Sequence, residues 1–204
     1  MGNIFIDTET TGFVPGQICQ LTLIHEEDFN IVASKNYYFK VDQMTPGAQE
    51  VHGLSIEFLD GISNGLRFED YKDELMSVLG SNTLIAHNLG FDEKFISSEF
   101  WRLGISFKPA GRLDTMEFFK PILQIPAKNR RFGPYKNPSL HDLVNYFNID
   151  EDKAKRLCHS LFGHISNGYH DSRLDTTMLY LAVTLHRENL NGGDYWHKMV
   201  CKTV

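Results

Sequence analysis

The stretch Ile4-Phe5-Ile6-Asp7-Thr8-Glu9-Thr10-Thr11-Gly12 constrains this chain more than any other. A short apolar run rises into two carboxylates one residue apart and stops at Thr-Thr-Gly. Residues 3–7 read as a buried strand, and side chains on a strand alternate between its faces. Asp7 and Glu9 therefore leave it on the same side. Both are hard oxygen ligands, and two of them at the end of a buried strand suit Mg²⁺ or Mn²⁺. A strand can also end at an aspartate because it has reached water, so further ligands must come from elsewhere in the chain.

Two later segments offer them. Thr83-Leu84-Ile85-Ala86 reads as a fourth strand running into His87-Asn88-Leu89-Gly90-Phe91-Asp92. From there Asp92, Ile96, Phe100 and Leu103 fall on one helical face, so a carboxylate heads a stripe that should pack on a sheet. A buried charge is costly unless paired or metal-bound, although an aspartate here can also serve as a helix cap. The last strong helix, 172–190, opens as Tyr169-His170-Asp171-Ser172-Arg173-Leu174-Asp175. Asp175 borders its apolar face, and His170 precedes it in a loop, either as a surface histidine or as a base within reach of an attacking water.

The remaining elements frame these three. Segments 18–24 and 31–41 are β-branched and aromatic, with Glu26-Glu27-Asp28 read as the hairpin turn between them. A brief helical turn is expected across 45–54, with Ser55 capping a second. A helix is expected over 67–79, a fifth strand at 112–115 and a helix after Pro138. Residues 148–167 look irregular, with room for a short helix on Leu157, Leu161 and Phe162. Asn191-Gly192-Gly193 should end the final helix, leaving a tail from about 191. The expected fold class is α/β: a five-stranded sheet flanked by helices in one domain, residues 1–204.

Composition limits the function classes. With 204 residues, 42% hydrophobic and 23% charged, the chain has the make-up of a globular protein with a substantial core. No leader-like start, myristoylation pattern or apolar run of about 18 residues is present, so a cytoplasmic protein without membrane attachment is expected. Cys19, Cys158 and Cys201 are too few and too scattered for a disulfide framework. Cys158-His159 with His164 lacks the second cysteine pair of a zinc site. The net charge of −6 argues mildly against indiscriminate nucleic-acid binding. It does not exclude a nucleic-acid enzyme, because carboxylates that hold metal are neutralised in use.

Taken in order, Asp7-Thr8-Glu9-Thr10-Thr11-Gly12, His87-Asn88-x-x-Phe91-Asp92 and His170-x-x-x-x-Asp175 closely resemble the three motifs of the DEDDh branch of the DEDD 3′–5′ exonuclease superfamily. That branch includes polymerase III epsilon-type proofreading subunits and oligoribonucleases. The resemblance spans residues 3 to about 186. It implies a ribonuclease-H-like exonuclease fold with a mixed sheet, and two divalent cations, Mg²⁺ or Mn²⁺. Asp7, Glu9 and Asp175 would hold one cation, Asp7 would bridge to the second, and Asp92 would act mainly through that second ion's waters. His170 would be the general base, and Asp171 directly after it should raise its pKa. The implied reaction is hydrolysis from a single-stranded 3′ end to 5′-mononucleotides, with DNA as the main reading. An RNA or oligoribonucleotide substrate, or a proofreading subunit bound to a DNA polymerase, is the alternative.

For the substrate, the resemblance implies that backbone N–H groups at Thr10 and Thr11 meet the terminal nucleotide. Phe91 and the Val51-His52 pair of Val51-His52-Gly53-Leu54 would contact its base, with Asn88 beside them. Outside the motifs, Lys128, Arg130, Arg131 and Lys136 interleave with Phe132 and Tyr135 in an otherwise acidic chain. Arg130 and Arg131 are therefore candidates to hold the upstream phosphates, against the plainer reading of a solvated charge run.

Overall fold

The computed structural model describes residues 2–129, 131, 133–163 and 171–190. His170, Arg130, Phe132, His164, Cys201 and the Asn191-Gly192-Gly193 helix stop lie outside them. Five strands, β1 (Asn3–Thr10), β2 (Ile18–Glu27), β3 (Asn30–Tyr38), β4 (Thr83–Ala86) and β5 (Gly111–Asp114), form one sheet in the order β3-β2-β1-β4-β5. The first three pair antiparallel, while β4 and β5 run parallel to β1. The mixed sheet is thus as expected. β1 lies at its centre because Ile4, Phe5 and Ile6 form an unbroken apolar run that both faces can cover.

The alternation of β1 divides the core in two. Ile4 and Ile6 join Phe68, Leu75, Leu79 and the Phe95, Ile96 and Phe100 face of α4 (Leu89–Arg102). Phe5 joins Phe119, Leu143, Val144 and the Leu179, Ala182 and Val183 face of α8 (Ser172–Asn189). The two helices that carry the later motifs therefore cover opposite faces of the same strand. Between β3 and β4 lie α1 (Pro46–His52), α2 (Ile56–Ile62) and α3 (Lys72–Gly80), the last preceded by a 3₁₀ turn. Among the described residues no helix is long and apolar enough to cross a membrane.

Four local expectations differ from the structure. β1 continues through Glu9 to Thr10, with a register irregularity between those two residues. The β2–β3 turn falls at Asp28-Phe29, both at positive φ (47° and 64°), as a tight two-residue hairpin requires. Glu26 accordingly stays in the strand, buried, where both carboxylate oxygens accept from Arg187 of α8 at 2.8 and 2.7 Å. A helix α5 (Thr115–Leu123) follows β5, and α6 (Leu140–Tyr146) follows in turn. The stretch expected to be irregular contains the twelve-residue α7 (Glu151–Phe162), which packs Ala154 and Cys158 inward. Cys19 and Cys158 are buried free thiols.

Candidate active site

The site forms where β1 and β4 end and α4 and α8 begin. Strand alternation sends Asp7 and Glu9 toward the α8 side of the sheet, with Phe5. Thr8 points to the α4 side, where its hydroxyl donates to Asp92 Oδ1 at 2.8 Å. Asp92 sits in the first turn of α4 and is 3% exposed. Asp175 sits in the first turn of α8, which begins at the N-cap Asp171. Carboxylates from three elements thus converge on one end of β1.

Their electrostatics record the convergence. Burial, reinforced by the charges of Asp175, Glu9, Asp92 and Asp171, pushes Asp7 well above the usual carboxylate range. Burial, with Asp175, Asp92 and Asp171, pushes Glu9 up to about 8. Asp92 is pushed up to about 7, again chiefly by burial, while the Thr8 hydroxyl pulls the other way. Acids that raise one another's pKa are a group waiting for positive charge. Among the described residues no three His, Cys, Asp or Glu side chains are arranged as a finished ion cage. The donor set, all carboxylate oxygen, fits a hard divalent cation.

The turn before α4 is shaped by Asn88, in the left-handed region at φ 73° and ψ 49°. Asn88 is exposed, and Phe91 is half-buried against Phe95 with ring centroids 4.9 Å apart. On the other side of the site lie further residues expected to contact substrate. The Thr11 N–H donates to Gln17 O at 3.0 Å, and Thr11 Oγ1 accepts from the Gln17 N–H. That N–H is therefore engaged in closing the 11–17 loop. Buried His52 accepts the Leu54 N–H at Nδ1, so Nε2 carries the proton and donates to Thr10 O at 3.3 Å. Its ring nitrogens hold the end of β1, while neighbouring Val51 is half exposed.

Asp171 is paired within its own turn: its carboxylate accepts the Arg173 N–H and, at 2.8 and 2.5 Å, the Arg173 guanidinium. Its expected effect on His170 lies outside the described residues. The arm holding Arg131 is a narrow loop tied by Ala127 N–H to Pro134 O and Lys136 N–H to Ile125 O, each at 2.9 Å.

Sequence reasoning missed several neighbours of the site. Phe13 and Val14, 87% and 78% exposed, stand in the loop directly after the first motif. Two large apolar residues on such a short turn were a visible signal in the sequence. Thr8 was also overlooked. Strand alternation alone would have turned it toward the helix that carries Asp92.

The chain matches the profile of the RNase_T family, described as Exonuclease, over residues 4–181. It is 31% identical over 152 residues to the DNA polymerase III subunit epsilon of Rickettsia felis, covering 72% of this chain and 62% of that protein. It is 26% identical over 118 residues to the 3′-5′ exonuclease DinG of Staphylococcus epidermidis, covering 56% of this chain and 13% of that protein. The chain thus spans less than two thirds of these relatives' lengths. In structure it is similar to E. coli exonuclease I in complex with a dT13 oligonucleotide, with a TM-score of 0.68 and 15% identity over 97% of this chain and 43% of that one.

Proposed function

We propose, since this chain belongs to the RNase_T exonuclease family, that it hydrolyses single-stranded DNA from the 3′ end to 5′-mononucleotides with two bound divalent cations, Mg²⁺ or Mn²⁺. The observation that carries the reading is the convergence of Asp7, Glu9, Asp92 and Asp175, in which burial and neighbouring negative charge raise the first three well above the ordinary carboxylate range. Such a cluster has one evident use, which is to be neutralised by cations. Two cations, when bound, stabilise the attacking and leaving oxygens of an in-line displacement at phosphorus.

The protein's own groups divide the remaining work. Asp7, Glu9 and Asp175 are assigned to one cation, Asp7 also to the second, and Asp92 to the second less directly. Thr8 keeps Asp92 aimed at β1. His170 takes the proton from the attacking water, a task suited to a group whose ordinary pKa is about 6.5. The exposed Val51, Phe13 and Val14, with half-buried Phe91, are assigned to apolar contact with the terminal bases, and the polar Asn88 to a contact beside them. Such apolar contact suits single strands of any sequence. His52 holds Thr10, and Arg130 and Arg131 take upstream phosphates. DNA is favoured over RNA by the relatives named for DNA polymerase III. Those same names favour a second reading, a subunit working on a polymerase, which co-purification with a polymerase would support.

Matched DNA and RNA oligonucleotides labelled at the 3′ end test the activity. The expected result is release of labelled 5′-mononucleotide, fastest from single-stranded DNA, abolished by EDTA and restored by Mg²⁺ or Mn²⁺. Internal cuts, or shortening from the 5′ end, would overturn it.

A further inference from the structure

Beyond the motif residues, two side chains at the end of β5 grip the turn that delivers Asp92. Asp114 Oδ1 accepts the Asn88 N–H at 3.1 Å and the Met116 N–H at 2.9 Å. Thr115, fully buried, donates its hydroxyl to Ala86 O at 3.1 Å, and the same oxygen lies 3.1 Å from His87 Nδ1. The other ring nitrogen of His87 donates to Pro138 O at 3.0 Å, since a carbonyl can only accept. Two adjacent residues thus touch three consecutive ones, Ala86, His87 and Asn88. The register explains how: Ala86 and Asp114 are paired neighbours at the ends of parallel β4 and β5.

The grip matters because the 86–88 turn is not one the chain takes by default. Asn88 is left-handed, a conformation that asparagine enters more readily than most residues but that still competes with the ordinary right-handed and extended ones unless its surroundings fix it. It is also the N-cap of α4, without a side-chain cap bond of its own. A carboxylate oxygen accepting its N–H supplies a directional restraint there. Asp92 follows four residues later, one helical turn along, so a swing at Asn88 moves the carboxylate at the head of α4.

We propose that Asp114 and Thr115 are positioning residues: they fix the Ala86-His87-Asn88 turn in the one conformation that brings Asp92 to Asp7, Glu9 and Asp175. The proposal rests on reading those four carboxylates as a cation site. The competing account is that Asp114 merely caps α5 and Thr115 merely packs.

Two substitution pairs separate these accounts. Asp114→Ser keeps a good helix cap for α5 but is too short to reach across to Asn88. Asp114→Asn keeps an oxygen at the right distance. Removal of an outer support of this kind typically weakens metal binding or activity by roughly 10–100-fold. Asp114→Ser should therefore lower Mn²⁺ affinity, measured by calorimetry, and kcat on a DNA oligonucleotide by that factor. KM and the melting temperature should stay near the parent's, and Asp114→Asn should lie between the two. If Asp114→Ser does not fold, Thr115→Val and Thr115→Ser repeat the comparison, with loss expected in the first and recovery in the second. Folded variants that bind Mn²⁺ and turn over like the parent would overturn the proposal. A parent that binds no Mn²⁺ at all would instead overturn the cation-site reading on which it rests.

Discussion

The hydroxyl of Thr8 donates to Asp92 Oδ1 across 2.8 Å, joining β1 to α4 between residues 84 positions apart in sequence. Asp7 and Glu9 flank that threonine and point to the opposite face, toward the helix carrying Asp175. Three consecutive side chains of one strand therefore serve both layers of the fold. Two supply carboxylates directly, and the one between them aims a third. The spacing of the first motif matters for what its middle residue reaches as well as for its two acids.

Removing that hydroxyl should be felt at Asp92. In Thr8→Val the carboxylate loses the bond that favours its charged form, so its pKa should rise further from about 7. A protonated Asp92 competes with cation binding. Mn²⁺ affinity near pH 6.5 should fall by roughly 10–100-fold, the usual scale for loss of an outer support. The deficit should narrow as the pH is raised, and Thr8→Ser should restore the parent. Calorimetric titrations at two pH values decide it, and an equal deficit at both would remove the protonation argument.

The same carboxylates predict how the cation-free protein responds to pH. Asp7, Glu9 and Asp92 all have folded-state pKa values above the ordinary carboxylate value of about 4. Between that value and about 8, where Glu9 titrates, the folded protein binds more protons than the unfolded chain. Stability is then fully present below about pH 4 from these groups and is lost as the pH rises through the folded values. In EDTA the melting temperature should fall from pH 5 to pH 8.5, and Mg²⁺ or Mn²⁺ should recover it at the upper end. Asp7→Asn removes one of the repelling charges. It should melt higher than the parent in EDTA at pH 8 while losing detectable turnover. An Asp7→Asn protein that is both less stable there and still active would contradict the assignment twice over.

The parts of the fold legible in the sequence were those where periodicity and chemistry agreed. β1, α4 and α8 each combine an apolar pattern with a carboxylate at one end, β4 is a short apolar run, and these signals are local. α7 was only partly legible: Leu157, Leu161 and Phe162 pack on the core as a short helix would, but its first turns set Ala154 among charges, a weak apolar signal for a helix of its length. α5 escaped because Pro121 lies within it and its cap, Asp114, had been read as the end of a strand. The hairpin turn shifted because Glu26, a charge, is buried opposite Arg187, a partner 161 residues away. Engagement of the Thr11 N–H by Gln17 and of Asn88 by Asp114 depends on how loops close, which no residue pattern along the chain records.

His170 is assigned to proton transfer, and the prediction for it separates base from ligand. His170→Ala should lower turnover by roughly 10²–10⁴, the usual contribution of a general base, with Mn²⁺ affinity nearly unchanged. Loss of Mn²⁺ binding, with turnover recovering at high Mn²⁺, would make the histidine a ligand or a support instead.

The basic arm offers the last test, because the motifs say nothing about it. Residues 125–127 and 134–136 pair across the Pro126–Tyr135 bridge at the base of this arm. Lys136 at its base donates to Asp142 at 2.7 Å and helps hold that carboxyl down at about 2. That lysine is therefore engaged in anchoring the arm to α6, whereas Arg131 and Lys128 are exposed further along it. Arg130 and Arg131 are the pair assigned to phosphates. Each phosphate contact on a single strand contributes about 0.7 to the slope of log affinity against log salt. Replacing both arginines with alanine should flatten that slope by about one unit or more. It should weaken binding alike for all sequences and leave turnover at saturation nearly intact, as backbone contacts carry no sequence information. The measurement is a salt titration of the Asp7→Asn protein with a labelled oligonucleotide. An unchanged slope would show that the arm's charges face solvent and that the substrate passes elsewhere.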